Sequence, residues 1–537
     1  MNIREKITAW EPGAVWSEAG DGMFTVPVEK FHALAARLRA EGFDFLRSLT
    51  GMDWGEEGFG AVYHLEATAT GENVVLRTLT PSREKCGLPS VCDLWKAAEL
   101  NEREVFDYFG IGFLNHPDMR RLFLRDDWVG HPLRKDYDPG LNPLRMTNEV
   151  SKDSAPSFEL TADGSFIRHR NVLFEEDEYV INIGPQHPAT HGVLRFRVSL
   201  EGEIIRKLDV HCGYIHRGIE KMCESLTYPQ TLALTDRLDY LGASQNRHAL
   251  CMCIEKGLGV EVSERVQYIR TIMDELNRLS SHLLFWSTLC MDLGALTAFF
   301  YGFRDREIVL DMMEETTGGR LIQNYNMIGG VAADIHPNLV KRVKDFIKYL
   351  PKMLDEYDEV FTGNVIAQQR LKGIGILPKE VAVSYGVTGP SGRASGWSCD
   401  VRKLKPYGVY DKVQFDEVIR TGGDSFDRYL VRVDEIRQSL HILEQLIDNI
   451  PAGDYAVKTK PIIRLPEGQF FSSVEASRGE FGVYIESRGD KFPYRMKFRS
   501  TGLPLVSCLE TIARGTKIAD LIAIGGTLDY VVPDIDR

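Results

Sequence analysis

The stretch TDRLDYLGASQNRH, residues 235–248, decides the fold of this 537-residue chain. Its apolar spacing predicts a helix, yet charged and polar side chains occupy nearly every side of that helix. On a helix, Tyr240 would lie three residues from Arg237 and four from Asp236, within reach of both. Two interpretations are open: a structural network of buried ion pairs, or polar groups that line a functional site.

Length and composition set the outer limits of the interpretation. The chain is long enough for two to four domains, and its composition is typical of a soluble globular protein. A net charge of −13 argues against nucleic-acid binding through a basic surface. The first residues, MNIREKITAWEPG, lack the apolar region of a secretory signal. Nine cysteines, an odd number in a chain with no such signal, do not suggest a disulfide framework, and no CxxC pair occurs.

Periodicity divides the chain into two units joined by a linker. Residues 1–137 are predicted to hold a helix and a small sheet. Residues 138–171 are rich in Pro, Ser, Asn and Asp without an apolar period, which is typical of a linker. Residues 172–537 open with a hairpin and continue as long helices, which predicts a helix bundle with small sheets and an α+β fold overall. The predicted elements are a helix at 31–41, strands at 60–67 and 73–78, a hairpin at 193–208, and helices from 264, at 338–360 and at 425–450.

The apolar run from His282 to Phe303 is nearly long enough to span a bilayer. Asp292 stands at its centre, where a carboxylate costs several kcal/mol in lipid. A buried helix in a soluble core is the favoured interpretation, and Asp292 then needs a partner.

Two histidine-bearing stretches are candidate sites. GPQHPATHGVLR, residues 184–195, spaces His187 and His191 as HxxxH, but its prolines and glycines argue against a zinc-binding helix. A loop with hydrogen-bonded histidines and a loop that offers an imidazole to a ligand both fit. HCGYIHRGIEK, residues 211–221, brings Arg217 and two histidines together before a helix, as a surface turn also would.

These stretches, with others, resemble two subunits of respiratory complex I. Residues from about 172 onward resemble the 49-kDa (D) subunit, and residues 1 to about 137 resemble the 30-kDa (C) subunit. The resemblance implies a fused C/D subunit: a small α/β domain, a linker, and a domain like the nickel–iron hydrogenase large subunit. The motifs of the second unit are GPQHPATHGVLR, HRGIEK, TDRLDY, MDLGALT, RKLKPYGVY, EASRGEFGVY and DYVVPDIDR; those of the first are EREVFDYFGIGF and GHPLRKDY.

The resemblance also implies a role for individual residues. Tyr240 would hydrogen-bond one quinone carbonyl, and His191 would bind the other or lie close to it. His187 would also be quinone-binding, and Asp292 would be the acidic partner of His191. Arg217 and Arg237 would lie near the terminal 4Fe–4S cluster of the neighbouring B subunit. No metal or cofactor is expected to be held by this chain itself, and quinone would be the substrate.

The same family implies partners and a location. The chain would belong to the peripheral arm at the cytoplasmic face of the bacterial inner membrane, which it would reach through its B, I, H and A partners. An NADH-oxidising E/F/G module, or another electron-input module, would supply electrons. Proton translocation would occur in membrane subunits, and no nucleic acid would be bound.

Two other classes of protein share this fold or these motifs, and one segment of the chain departs from the family pattern. A membrane-bound nickel–iron hydrogenase large subunit would need two CxxC pairs, which are absent. A complex I relative that uses ferredoxin stays open, because no GxGxxG motif identifies NADH as the donor. In GGRLIQNYNMIGGV, Ile322 and Met327 replace a histidine and an arginine that many family members carry. Without those cations, a low-potential cluster and menaquinone rather than ubiquinone as substrate are expected. The alternative is neutral drift, with the positive charge supplied by Arg217 and Arg237.

Overall fold

The computed structural model describes residues 2–142, 156–161, 164–170, 173–187 and 190–537. Its first unit is built on a five-stranded sheet in the order β1-β2-β5-β4-β3, in which only β2 and β5 run parallel. The predicted helix and both predicted strands are confirmed. The elements are α1 (Ile3–Trp10), β1 (Val15–Ser17), β2 (Met23–Thr25), α2 (Val28–Ala40), β3 (Phe45–Asp53), β4 (Phe59–Ala67), β5 (Glu72–Leu79), β6 (Gly87–Pro89), α3 (Ala98–Phe109) and β7 (Gly112–Leu114).

The segment predicted as a linker contains a hairpin in its described part. Strands β8 (Pro156–Leu160) and β9 (Phe166–Arg170) pair antiparallel and pack on the first unit. The rings of Phe158 and Phe166 lie 5.1 and 5.8 Å from that of Phe106, and Leu160 is buried. The first unit thus covers Phe158 and Leu160, while Phe166 and Ile167 stay partly exposed. The apolar pattern of such a short hairpin is not detected by a search for longer periods. The boundaries 138 and 171 stay a prediction.

The second unit begins with a three-stranded antiparallel sheet, β10-β11-β12, and continues as a helix bundle, so the predicted hairpin and bundle are confirmed. Helix α7 is buried on nearly all sides because it packs against α6, α8, α14 and α17. The elements are β10 (Tyr179–Ile183), β11 (Arg195–Glu201), β12 (Ile204–His211), α4 (Ile219–Cys223), α5 (Tyr228–Thr235), α6 (Ala243–Leu258), α7 (Glu264–Asp292), α8 (Leu296–Thr317), β13 (Asn326–Met327), β14 (Gly330–Val331), α9 (Leu339–Tyr357), α10 (Val365–Leu371), α11 (Lys379–Tyr385), α12 (Gly389–Ala394), α13 (Val401–Leu404), α14 (Ser425–Leu446), β15 (Gly468–Ala476), β16 (Gly479–Ser487), β17 (Arg495–Arg499), α15 (Gly502–Ser507), α16 (Leu509–Ala513), α17 (Ile518–Leu528) and α18 (Val532–Asp536).

The stretch 235–248 is not one helix, and that prediction was wrong. Helix α5 ends at Thr235 and α6 begins at Ala243, with a turn between them. Asp239 Oδ1 accepts a hydrogen bond from the Leu241 backbone N–H at 3.0 Å. A side chain that bonds to its own backbone competes with helix formation, which explains the break. The helical spacing expected between Tyr240 and Asp236 or Arg237 therefore does not apply.

The apolar run 282–303 is likewise divided between two helices. Helix α7 ends at Asp292 and α8 starts at Leu296. Gly294 between them has a φ of 85°, a left-handed conformation that ends helices and favours glycine. Asp292 is therefore placed at a helix end, beside a loop, and not in the middle of a buried helix.

The two units share an apolar core and several ion pairs. The ring of Phe45 packs edge-on against that of Trp397 at 5.2 Å. Glu104 on α3 accepts from the guanidinium of the last residue, Arg537, at 2.7 Å and also pairs with Lys497. The first unit thus covers the C-terminal segment of the second.

Candidate functional site

His191 and Asp292 meet although 101 positions separate them in the sequence. His191 lies in the loop between β10 and β11, and Asp292 is the last residue of α7. The imidazole Nε2 and the carboxylate Oδ2 are 2.6 Å apart, and both side chains are mostly buried. The expected acidic partner is thus in hydrogen-bonding contact with the histidine.

The backbone holds His191 in an uncommon conformation. Its φ is 51°, in the left-handed region that few residues other than glycine adopt. At the start of the same loop, Gly184 has a φ of 88°, and a Cβ there would lie 2.1 Å from the Leu194 carbonyl oxygen. Only glycine fits this approach. The loop therefore presents His191 at a fixed position, a constraint that often marks functional sites.

Electrostatics favour the charged form of His191. Burial lowers its pKa, but the hydrogen bond to Asp292 and the charges of Asp292 and Asp529 outweigh burial, so the pKa is raised above its ordinary value. Arg478 opposes the rise. An imidazolium that can give up its proton to a substrate is a competent general acid.

Tyr240 lies in the turn between α5 and α6 and is 36 % exposed. Within the described ranges its hydroxyl has no hydrogen-bond partner. Burial raises the pKa of Tyr240, and the nearby charge of Arg478 counteracts this. The phenol is thus protonated, and a cation stands beside it that would stabilise a phenolate.

Arg478 connects the surroundings of Tyr240 with those of His191. The guanidinium donates to Asp239 Oδ2 at 3.0 Å, to Ser281 Oγ at 3.0 Å and to Asp529 Oδ1 at 3.1 Å. Its charge, like that of Asp529, acts on both Tyr240 and His191. The structure therefore brings the two predicted proton donors to one cluster of charges.

Most polar groups of the opening stretch pair within the chain and do not face a cavity. Arg247 Nη1 donates to Asp236 Oδ2 at 3.1 Å. His248 Nδ1 lies 2.6 Å from Asp274 Oδ2, and Asp239 pairs with Arg478. The interpretation as buried ion pairs therefore holds for these residues, while Tyr240 and Arg237 remain exposed.

Arg217 and Arg237 lie side by side on the surface. Arg217 Nη2 donates to the backbone oxygen of Arg237 at 2.8 Å. Burial and the charge of Arg237 lower the pKa of Arg217. Two adjacent guanidinium groups repel each other, so this surface favours an anionic partner.

His187 lies in the same loop as His191, and its side chain is exposed. Its backbone oxygen accepts from Thr190 Oγ1 at 2.8 Å. Pro188 and Ala189 lie outside the described residues. The two histidines thus belong to one loop, in which His191 contacts Asp292.

Ile322 and Met327 replace two cationic residues of the family pattern, but positive charge remains close to Met327. Arg247 Nη2 contacts Met327 Sδ at 3.3 Å, and the same guanidinium pairs with Asp236. Burial raises the pKa of Asp236 to about 6, against the influence of Arg247. Arg270 also donates to the Met327 backbone oxygen at 2.7 Å and pairs with Glu255. Both cations beside Met327 are therefore held in buried ion pairs, and Ile322 adds no charge.

A second cluster of potential ligands, Cys92, Glu102 and His116, lies in the first unit. The His116 Nδ1 accepts from the Asp118 backbone N–H at 3.0 Å, and Nε2 lies 3.0 Å from the Glu99 backbone oxygen. Both ring nitrogens are therefore engaged. Burial raises the pKa of Glu102 to about 8, so its carboxyl is largely neutral. The cluster is explained as a hydrogen-bonded core.

Sequence reasoning did not assign Arg478, Asp529, Tyr530 and Gly526 to the site. Arg478 belongs to EASRGEFGVY and Asp529 and Tyr530 to DYVVPDIDR, motifs that gave no role to these individual residues. A Cβ at Gly526 would lie 3.2 Å from Asp292 Oδ2 and 3.8 Å from His191 Cε1. The motifs that contain Arg478, Asp529 and Tyr530 were visible in the sequence, but only the fold shows that these residues lie near His191 and Asp292.

None of the helices within the described ranges is both long and apolar enough to cross a membrane.

Comparison with known families supports both halves. Residues 24–142 match the family model of the respiratory-chain NADH dehydrogenase 30 Kd subunit, and residues 292–464 and 460–537 match that of the 49 Kd subunit. The fold and these matches define the class: a fusion of the two subunit types, of α+β architecture.

Full-length relatives give the family. A protein of Phocaeicola vulgatus named as the C/D subunit of NADH-quinone oxidoreductase is 73% identical over 95% of this chain and 99% of its own length. Proteins of the same name from Bacteroides thetaiotaomicron and Nitrosospira multiformis are 66% and 38% identical, over 96% and 89% of this chain and 99% and 83% of their own lengths. The chain belongs to the family of NADH-quinone oxidoreductase C/D subunits.

Proposed function

We propose that this chain is the peripheral-arm subunit of a proton-translocating NADH:quinone oxidoreductase that forms the quinone head-group site. The observation that carries the proposal is the 2.6 Å pair of His191 and Asp292. The charges of Arg478 and Asp529 act on this histidine and also on Tyr240, whose hydroxyl has no hydrogen-bond partner within the described ranges. A site with an imidazolium and a free phenol offers two proton donors of different chemistry.

The chemistry of quinone reduction matches these two donors. Two electrons and two protons convert both quinone carbonyls to hydroxyls, and negative charge develops on each oxygen. His191 would protonate one oxygen and Tyr240 the other, and both would regain protons from solvent. Asp292 would hold the imidazole in orientation, and Arg478 would stabilise the phenolate left on Tyr240. His187, exposed in the same loop, would contact the head group from its open side.

Electrons would come from the 4Fe–4S cluster of the adjacent B subunit. Arg217 and Arg237 would face that cluster, because a cluster with cysteine thiolate ligands is the anionic partner that two adjacent guanidinium groups favour. The I, H and A subunits, and the E/F/G module or another electron-input module, would complete the partners. The complex would place this chain at the cytoplasmic face of the bacterial inner membrane.

Menaquinone is the proposed form of the substrate. Ile322 and Met327 carry no charge, and the two cations that contact Met327, Arg247 and Arg270, are paired with Asp236 and Glu255. Arg217 and Arg237 would still face the cluster, but a cluster with fewer cations beside it has a lower potential, which suits a low-potential acceptor.

Replacement of Tyr240 tests the proposal directly. Tyr240→Phe should leave the complex assembled and its clusters reducible, because the phenol makes no hydrogen bond in the described chain. Quinone reduction should slow by roughly 10²-fold, the contribution typical of a general acid. Tyr179→Phe, at an exposed tyrosine on β10, is the matched control and should keep the wild-type rate. Wild-type rates in a fully assembled Tyr240→Phe complex would contradict the proposal.

A further inference from the structure

Tyr530 carries a buried hydroxyl that the chemistry above does not use. It lies between α17 and α18 and is 2% exposed. Its hydroxyl oxygen has no hydrogen-bond partner among the described residues. Leaving a buried hydroxyl unsatisfied is costly, so a phenylalanine would be the simpler choice at a purely packing position.

The residues around Tyr530 indicate which group its hydroxyl could interact with. Its ring centre lies 6.4 Å from that of the His191 imidazole. A Cβ at Gly525 would lie 3.3 Å from the Tyr530 hydroxyl, and one at Gly526 would lie 3.2 Å from Asp292 Oδ2. Two successive glycines thus keep side chains away from both the hydroxyl and the carboxylate. Burial and then the charge of Asp292 raise the pKa of Tyr530, so the phenol stays protonated.

Asp292 has capacity for a second donor. Its Oδ2 contacts His191, and within the part of the chain that the structure describes its Oδ1 makes no hydrogen bond. A single water placed between a phenol that can donate and a carboxylate that can accept would satisfy both groups.

We propose that Tyr530 is a positioning residue that donates through one ordered water to Asp292. It would thereby limit how strongly Asp292 stabilises the protonated form of His191. A donor on the carboxylate spreads its negative charge and weakens its attraction for the imidazolium. His191 would then release its proton more readily than it would against a bare carboxylate. The kinetic consequence rests on the proposed quinone function, whereas the effect on His191 itself does not.

The direction in which the His191 pKa changes on substitution distinguishes Tyr530 from its partner Asp292. The charged groups that face the imidazole are Asp292 at the end of α7, Asp529 after α17 and Arg478 in the turn between β15 and β16. Tyr530→Phe leaves all three in place and removes only a neutral donor. The pKa of His191 should therefore rise, whereas Asp292→Asn should lower it.

The test measures His191 directly in the assembled complex, by hydrogen–deuterium exchange at the histidine C2 position with mass spectrometry across a pH series. In Tyr530→Phe the His191 titration midpoint should rise by about half a pH unit, roughly a threefold change in the protonation equilibrium. Tyr63→Phe removes another fully buried, unpartnered hydroxyl, in the sheet of the first unit, and should leave the midpoint unchanged. The double variant Asp292→Asn/Tyr530→Phe should match Asp292→Asn alone, because Tyr530 acts through Asp292.

An unchanged or lowered midpoint in Tyr530→Phe would overturn the inference, as would a Tyr530 effect that persists in the double variant or appears equally in Tyr63→Phe. The quinone-reduction pH profile is measured on the same samples. If the midpoint rises but the alkaline limb of the profile does not follow, the role of Tyr530 stands and the proposed role of His191 as the quinone acid fails.

Discussion

At the residue scale, the 2.6 Å contact between His191 and Asp292 links an imidazole to a fixed negative charge at the end of α7. The contact raises the pKa of His191 against the effect of its burial. The same imidazole would be largely neutral at pH 7 without that charge, since burial disfavours the charged form. The availability of a proton at this position thus depends on one carboxylate.

Asp292→Asn should therefore lower the pKa of His191. An amide keeps the shape of the side chain but offers no charge, and a charge-assisted hydrogen bond contributes about 1.5–3 kcal/mol. The alkaline limb of quinone reduction should move to lower pH by about one unit or more. A pH–rate profile of the assembled variant measures this, and a profile that matches the wild type would count against the pairing.

The uncharged side chains of Ile322 and Met327 lead to a prediction about the redox potential of the terminal cluster. The terminal cluster should titrate at low potential with weak pH dependence, because neither side chain can take up a proton. Any pH dependence should enter through Asp236, whose pKa burial raises to about 6. Ile322→His should raise the potential at low pH, since a nearby cation favours the reduced cluster. Ile322→Leu is the uncharged control.

A redox titration of the assembled complex at several pH values decides this point. A high and strongly pH-dependent potential in the wild type would refute it, as would ubiquinone as the only bound quinone.

At the element scale, the site is assembled from the ends of helices and from turns. His191 lies in the loop from β10 to β11, Tyr240 in the turn from α5 to α6, and Asp292 at the end of α7. Arg478, in the turn from β15 to β16, pairs with Asp239 in the turn from α5 to α6 and with Asp529 directly after α17. Helix and strand ends can hold side chains at fixed positions while leaving space in front of them.

Arg478→Met should destabilise this arrangement. It would leave Asp239 and Asp529 without their cation in a buried site, and removal of one partner from a buried ion pair costs about 3–5 kcal/mol. Thermal unfolding of the assembled complex should begin at lower temperature, and quinone reduction should fall. Arg478→Lys keeps the charge and should recover part of both losses, although not the full set of hydrogen bonds. Equal stability of the Met and Lys variants would argue that the charge is unimportant.

At the scale of the whole molecule, the two units contact each other through more than the linker. Arg47 pairs with Glu480, Lys405 with Glu66 at 2.6 Å, and Glu104 with Arg537. The hairpin of β8 and β9 adds apolar contacts to the first unit. We therefore expect the interface to form without the covalent connection.

Division of the chain near Ser154, which lies outside the described residues, should leave two folded parts that still assemble. Co-purification of the two fragments within the complex measures this. Glu104→Gln in the divided chain should weaken their association, because it leaves Lys497 and Arg537 buried with less compensating charge. The same substitution in the undivided chain should be tolerated better, since the linker keeps the halves together. Loss of assembly on division alone would contradict the prediction.

Long periodic elements were predictable from the sequence, and breaks were not. The helices from Ser263 and Ser425 follow directly from apolar spacing and capping residues. The breaks after Thr235 and Asp292 arise from single local features, the Asp239 side chain and the left-handed Gly294, which periodicity averages away. Membership in the C/D family was also readable from motifs, because those motifs extend over nearly the whole chain.

The sequence by itself determined the class of fold, the two-part organisation and the family, since these depend on residue patterns spread along hundreds of positions. The tertiary structure alone decided that His191 contacts Asp292, that Arg478 joins the surroundings of Tyr240 and His191, and that Tyr530 lies beside them. The reason is physical: ion pairs and hydrogen bonds act over a few ångströms of space, and residue 191 comes within that range of 292, and 478 of 239 and 529, only once the helices pack.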